Sequence, residues 1–367
     1  MIYLDANASE ALRPEARTAM LDALDRVGNP ASVHGAGRAT RKMLEDAREA
    51  IASRFGGRAA DLVFTSGGTE ADALAIHGLG AGRRVIAGAT EHDAIRASAP
   101  GAAILPVDRA GVADLAALDR LLADGLPALV CLMFANNETG TLQPVIEAAT
   151  LCRRHGALLH VDAVQAAGRV PVSLAATGSH AMALSSHKLG GPAGAGALLL
   201  APDLASIAPL MPGGGQERGR RGGTPPIAAI AGFAAAAGCA VESDADRLGP
   251  LRDAIERAAL AEGAVVCGAG PARLANTSCL ALPGVRADAQ VIALDLAGFA
   301  VSAGAACSSG KIGASHVLTA MGLGTLAAQA IRVSLPWNVA EGDVRAFIAA
   351  YRDMAARLRP TLASNAA

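Results

Sequence analysis

Of the 32 basic residues in the chain only three are lysine: Lys42, Lys188 and Lys311. An amine nucleophile or Schiff base therefore has three candidate donors, because arginine keeps its proton. Lys42 lies on a charged amphipathic stretch and reads as a solvated surface residue. Lys188 stands in SSHKLGGPAGAGALLL (185–200), just after an apolar strand and among glycines that leave room for a bound ring. VDAVQAAG (161–168) ends another apolar strand on Asp162, with Gln165 just beyond. A carboxylate in that position needs a cationic or hydrogen-bonding partner, or else caps the next turn. TSGGTEADALAI (65–76) sets Gly67, Gly68 and Thr69 between a strand and a helix, where free N–H groups and the helix dipole attract an anion. Such turns also serve close packing alone, and no Gly-Lys-Ser/Thr follows to make a Walker A loop. One ligand would use all three places: a phosphorylated pyridine aldehyde, with its aldehyde on Lys188, its ring nitrogen on Asp162 and its phosphate on Gly67 to Thr69.

These groups need a sheet to hold them. Between residues 60 and 200 short apolar runs alternate with amphipathic stretches, the pattern of an α/β sheet layered with helices. The expected strands are 62–66, 84–88, 102–107, 128–134, 157–162, 181–186 and 196–201, read as buried and mostly parallel. Expected helices are 38–55, 113–124 and 145–156, from apolar spacings of three and four. In open α/β sheets ligands sit at the carboxyl ends of strands, where Asp162 and Lys188 both fall. After residue 200 a glycine-rich loop (211–226) leads into an alanine-rich helix (226–240), and VESDADRLGP (241–250) reads as a polar turn.

The chain has 367 residues, 52% of them hydrophobic and 18% charged, enough for a buried core and for two domains. A net charge of −1 argues against a nucleic-acid partner. Apolar runs fall short of a membrane helix and no signal-peptide pattern opens the chain, so a cytoplasmic location is expected. The six cysteines are scattered, without metal-ligand spacing or a disulfide framework. Five lie in apolar strand- or helix-like runs; Cys307 alone sits in a small-residue stretch without periodicity, AGAACSSGKIGAS (303–315), which suits a mobile loop better than a packed core.

Several longer stretches carry a resemblance: YLDANAS (3–9), GNPASVHGAGR (28–38), TSGGTEADALAI, ATEHDAI (89–95), ANNETGTLQPV (135–145), VDAVQAAGRVP (161–171), SSHKLGGPAGAGAL (185–198), GGGQERGRRGGT (213–224), AGAACSSG (303–310) and IRVSL (331–335). Nearly end to end, the chain resembles the cysteine desulfurases of the class V aminotransferase group. The resemblance implies a fold-type I pyridoxal-phosphate transferase with a large domain, a mostly parallel sheet flanked by helices, and a smaller α+β C-terminal domain. It implies a homodimer that takes sulfur from L-cysteine, leaves alanine, and passes a Cys307 persulfide to a protein acceptor such as an iron–sulfur scaffold or sulfur carrier. Carried over residue by residue, Lys188 is the Schiff-base lysine and proton shuttle, and His92 stacks on the ring. Asp162 pairs with the ring nitrogen, while Gln165 and Asn137 hydrogen-bond the ring oxygen. Gly68, Thr69, Ser185 and His187 hold the phosphate, joined by Thr224 from a second subunit. Arg332, with Asn137 beside it, takes the substrate carboxylate, and Cys307 is the sulfur-accepting nucleophile.

The expected division is an N-terminal segment (1–14) packing on the small domain, a cofactor domain (15–245) and a C-terminal domain (246–367). The chain departs from the group's pattern at Glu10, Gly222, Pro225-Pro226 and Pro336-Trp337, departures expected to alter the shape of the substrate site, and at Lys311, whose charge near Cys307 is expected to lower the thiol pKa. An aminotransferase, a selenocysteine lyase or a non-catalytic interaction protein would share much of the same pattern.

Overall fold

A two-residue strand, β1 (Ile2–Tyr3), opens the computed structural model, which describes residues 1–204, 207–240, 244–304 and 313–359. Seven strands then form one sheet: β2 (Leu62–Thr65), β3 (Arg84–Gly88), β4 (Ala103–Leu105), β5 (Ala128–Met133), β6 (Leu158–Asp162), β7 (Ala181–Ser185) and β8 (Gly196–Leu200), in the order β2-β8-β7-β6-β5-β3-β4. β3 to β7 run parallel, as expected; β8 is reversed, and β2 pairs antiparallel with β8. Two reversals cancel, so the carboxyl end of β2 emerges on the same edge as those of β6 and β7. That edge is where the sequence places its chemistry.

Both faces of this sheet are covered, which is why its strands read as continuous apolar runs. On β2, Leu62 and Phe64 face a core shared with the helices Gly35–Arg54, Leu115–Leu122, Val145–Arg154 and Ile227–Cys239. Val63 faces the opposite core, filled by Ala71, Leu74 and Ala75 of the helix Gly68–Leu79. The molecule is an α/β fold with a mostly parallel central sheet between helical layers.

The remaining strands are β9 (Val265–Cys267), β10 (Thr277–Ala281), β11 (Phe299–Ala300), β12 (Ser302–Ala303) and β13 (Ala330–Ser334). Four of them make an antiparallel sheet, β12-β13-β10-β9, backed by the helices Asp244–Ala261, Ala287–Leu296 and Glu341–Leu358. β1 pairs with β11, and Asp5 bridges to Ser334, so the first residues of the chain are tied to this second sheet.

One expectation fails. Residues 244–250, read as a polar turn, are the first turns of the helix Asp244–Ala261. Leu248, Leu251, Ile255 and Ala259 recur on one face and bury in the second core, and that burial outweighs the Gly249-Pro250 pair. Asp244 and Asp246 suit the positive end of the helix. Among the described residues no single helix is long and apolar enough to cross a membrane.

Candidate active site

A cavity of about 490 Å³ opens at the carboxyl edge of the large sheet, a volume suited to a small-molecule ligand. Gly68, Thr69, His92, Asn137, Asp162, Gln165, Ser185, His187, Lys188 and Arg332 all line it. Ten residues spread over more than 260 positions of sequence thus meet in one place.

Lys188 closes the short turn Ser186–Lys188 after β7. Its Nζ donates to the backbone oxygens of Asn7 (2.5 Å) and Ala8 (2.9 Å). Next to it, His187 has its pKa lowered to about 4 by burial and by the Lys188 charge, so its ring is neutral at pH 7. Asp162 ends β6 and accepts a hydrogen bond from Val164 N–H at 2.9 Å. Burial, with Asp72 adding to it, pushes the Asp162 carboxyl up to about 7. Asp72, on the helix that starts at Gly68, is raised to about 8 by burial and lies 2.9 Å from His160 Nε2. Burial also lowers His160 to about 4, so it brings no positive charge to these two acids. This end of the cavity calls for a cation.

The opposite requirement holds at the Gly68 helix. Ser185 Oγ is buried without a hydrogen-bond partner, next to the helix's first N–H groups. A Cβ on Gly68 would come within 2.6 Å of the Val164 side chain, so only glycine lets the backbone pass here. Asn137 Oδ1 and Arg332 Nε are likewise buried and unpartnered. A flat ligand with a protonated ring nitrogen near Asp162, an anionic group near Ser185 and an aldehyde for Lys188 fits this donor set. Pyridoxal phosphate has those three features.

Arg332, on β13, donates through Nη2 to Asp5 Oδ1 at 2.7 Å and through Nη1 to Asn137 O at 3.1 Å. Asp5 in turn accepts from Ser302 Oγ at 2.7 Å. His92 caps the helix Asp93–Ser98, its Nδ1 accepting from Ala94 N–H at 3.1 Å, which puts a neutral ring's proton on Nε2.

Thr224 is not at this cavity. It is exposed and lines a separate surface recess with Gly194 and Arg221, so one chain alone does not bring it to Ser185. Cys307 and Lys311 lie outside the described residues. The other five cysteines sit in strands or helices, four of them buried and Cys239 partly so. Among the described residues no group of three or more His, Cys, Asp or Glu side chains could hold a metal ion.

Glu10 and Trp337, expected to alter the substrate site, do not line the cavity; they pack together in a small recess behind Lys188. Asp5, Asn7, Asp72 and Arg169 were missed. YLDANAS contains two of them, but nothing in the residue pattern shows that its carbonyls and carboxylate face a lysine and an arginine from distant strands.

Residues 2–347 match the family model described as aminotransferase class-V. The chain belongs to that family. Relatives of this class-V chain include the IscS-like cysteine desulfurase of Mycobacterium tuberculosis, 39% identical across 98% of this chain and 97% of that protein. A cysteine desulfurase of Cereibacter sphaeroides is 44% identical across 92% of each. Among solved structures, a NifS-like protein from Rickettsia africae superimposes with a TM-score of 0.90 at 33% identity, covering 96% of this chain and 99% of that one. SspA, solved in complex with cysteine, superimposes with a TM-score of 0.81 at 26% identity, covering 92% and 99%.

Proposed function

We propose that the chain is a pyridoxal 5'-phosphate-dependent cysteine desulfurase that converts L-cysteine to L-alanine and leaves the sulfur as a persulfide on Cys307. The observation that carries this reading is the single cavity at which Lys188, Asp162, Ser185, His92 and Arg332 converge. The names of its 39% and 44% identical relatives support it.

When bound, the cofactor supplies an electron sink that lets the substrate's Cα–H and Cβ–S bonds break. The Asp162 carboxylate holds the cation at the ring nitrogen. Gly68, Thr69, Ser185 and His187 hold the phosphate, with Thr224 of the partner subunit completing the cradle in a homodimer. His92 would stack on the ring, and Gln165 and Asn137 would hydrogen-bond the ring oxygen. Arg332 takes the substrate carboxylate; Asp5 and Asn137 O already hold two of its five N–H groups and so fix the plane of its fork. Lys188 Nζ takes the proton from the substrate's Cα. The Cys307 thiolate attacks the substrate sulfur: an S–S bond forms, the Cβ–S bond breaks, and the three-carbon fragment keeps the electron pair, gains protons and leaves as alanine. Cysteine plus one thiol thus balances alanine plus one persulfide. Ser302 lines the cavity, and the five residues from there to Cys307 reach at most ~18 Å.

The persulfide then passes to a protein acceptor, an iron–sulfur scaffold or a sulfur carrier. The chain divides near residue 245 into the cofactor domain and a C-terminal domain on which residues 1–14 pack. The test is an absorbance spectrum of the protein with pyridoxal phosphate, alongside alanine release from cysteine and sulfide release in the presence of dithiothreitol, whose two electrons reduce the persulfide to thiol and sulfide. The wild type shows a cofactor band and releases both products, whereas Cys307→Ala keeps the band and loses sulfide. A wild type with no band overturns the reading. So does amino transfer to a keto acid without sulfide, or activity confined to selenocysteine.

A further inference from the structure

Glu10 and Trp337, two of the departures from the family pattern, meet at one cation. Glu10 Oε1 accepts from Trp337 N–H (3.2 Å) and Ala11 N–H (3.0 Å), and Oε2 lies 3.5 Å from Arg169 Nη2. Both side chains are nearly buried, at 12% exposed for Arg169 and 6% for Glu10. From that position Arg169 Nη1 donates to Gln165 Oε1 (2.6 Å) and to Asn7 Oδ1 (2.8 Å). Gln165 Nε2 donates to Asn7 O at 2.9 Å, the oxygen that also accepts from Lys188.

A primary amide can lie either way round, but these neighbours allow one orientation. A guanidinium has only donors, so the amide oxygen must face Arg169; a carbonyl oxygen only accepts, so the NH₂ must face Asn7 O. Reversal would set N–H against N–H and oxygen against oxygen. The NH₂ group has two hydrogens, and Asn7 O uses one. The second is left for the cavity, which Gln165 lines. A donor is what an anionic ring oxygen requires.

We propose that Arg169 is a positioning residue that locks the Gln165 amide with its N–H toward the ring oxygen of the bound cofactor, and that Glu10, held by Trp337, is the counter-charge that keeps Arg169 there. This rests on the cofactor reading above. Burial lowers the Arg169 pKa and raises that of Glu10, so neither charge would stay without the other and its hydrogen bonds. Arg332 and Glu10 are the charges acting on Arg169, and Arg13 acts in turn on Glu10. Lys188, His187, Arg332, Asp5, Asp72, Asp162 and His92 are the ionisable groups of the cavity wall that Gln165 faces.

The experiment follows the bound cofactor's long-wavelength absorbance band as a function of pH, in protein loaded with pyridoxal phosphate. Losing a donor at the ring oxygen makes the bound group hold its proton more tightly, so the midpoint in Arg169→Met moves up by about one pH unit or more. Arg169→Lys, still a charged donor, stays near the wild-type midpoint. With Gln165→Ala already in place, Arg169→Met adds less than half of that shift, because the effect runs through the amide. An unmoved midpoint in Arg169→Met overturns the proposal. An equal shift in both backgrounds also overturns it, since the charge would then act directly. If Arg169→Met does not fold, Arg169→Gln is read against the same criteria. A wild type without a band takes the cofactor reading down as well, whereas a band with an unmoved midpoint removes only the role of Arg169.

Discussion

Asp162 and Asp72 share one buried wall of the cavity, and each retains its proton well above the ordinary carboxyl range. For Asp72 the ordinary value is 3.8 and the folded value about 8. Between those values the folded chain holds a proton that the unfolded chain has released, so stability falls as pH rises through that window. In cofactor-free protein, Asp72→Asn removes this dependence. Its melting temperature, followed from pH 4 to 8, falls less steeply than that of the wild type; parallel slopes would show that Asp72 ionises freely. Asp162 and Lys188 were legible in the sequence because each combines a residue type suited to one chemistry with a position at the end of an apolar run. Asp72 was not, because a single acid on an amphipathic helix carries no sign of the histidine it meets 88 residues later.

Strand β8 bears on function without contributing a cavity side chain. Gly196, opposite Thr65 on β2, lies so close to the turn before the Gly68 helix that a Cβ there would fall 2.6 Å from the Gly67 backbone. Gly196→Ala therefore pushes the phosphate-binding N–H groups out of place. Its dissociation constant for pyridoxal phosphate, measured by absorbance titration, rises at least about tenfold while far-ultraviolet circular dichroism stays unchanged. The strands themselves were readable from their apolar runs to within a residue or two at most ends. Their mostly parallel direction was read as well; that β8 reverses was not, since a run buried on both faces looks the same parallel or antiparallel. Helix Asp244–Ala261 was hidden for a related reason: local Asp, Gly and Pro signal a turn, and only the second core tells the chain to continue as helix.

At the scale of the molecule, the N-terminal segment joins the two sheets. Its backbone pairs β1 with β11, its Asn7 and Ala8 oxygens accept from Lys188, and its Asp5 holds Arg332. Trp337 sits on the same junction, its Nε1 donating to Ala11 O at 2.9 Å and its ring lying 4.9 Å from the Arg13 guanidinium. It is the only tryptophan in the chain. In a thermal scan of cofactor-loaded protein, its emission therefore shifts red in the same transition that releases the cofactor band. A separate, earlier shift would show that the junction opens without the cavity. The sequence by itself determined the alternation of strands and helices, the family, and the residue types at the ends of strands, because apolar periodicity and local motifs are written over short distances. Tertiary structure alone decided that Asp5 orients Arg332, that Arg169 and Asn7 orient Gln165, and that Glu10 and Trp337 lie behind the lysine. Apart from the local Arg169–Gln165 pair, those contacts span 158 to 327 residues, and their partners are chosen by how the N-terminal segment and the two sheets pack.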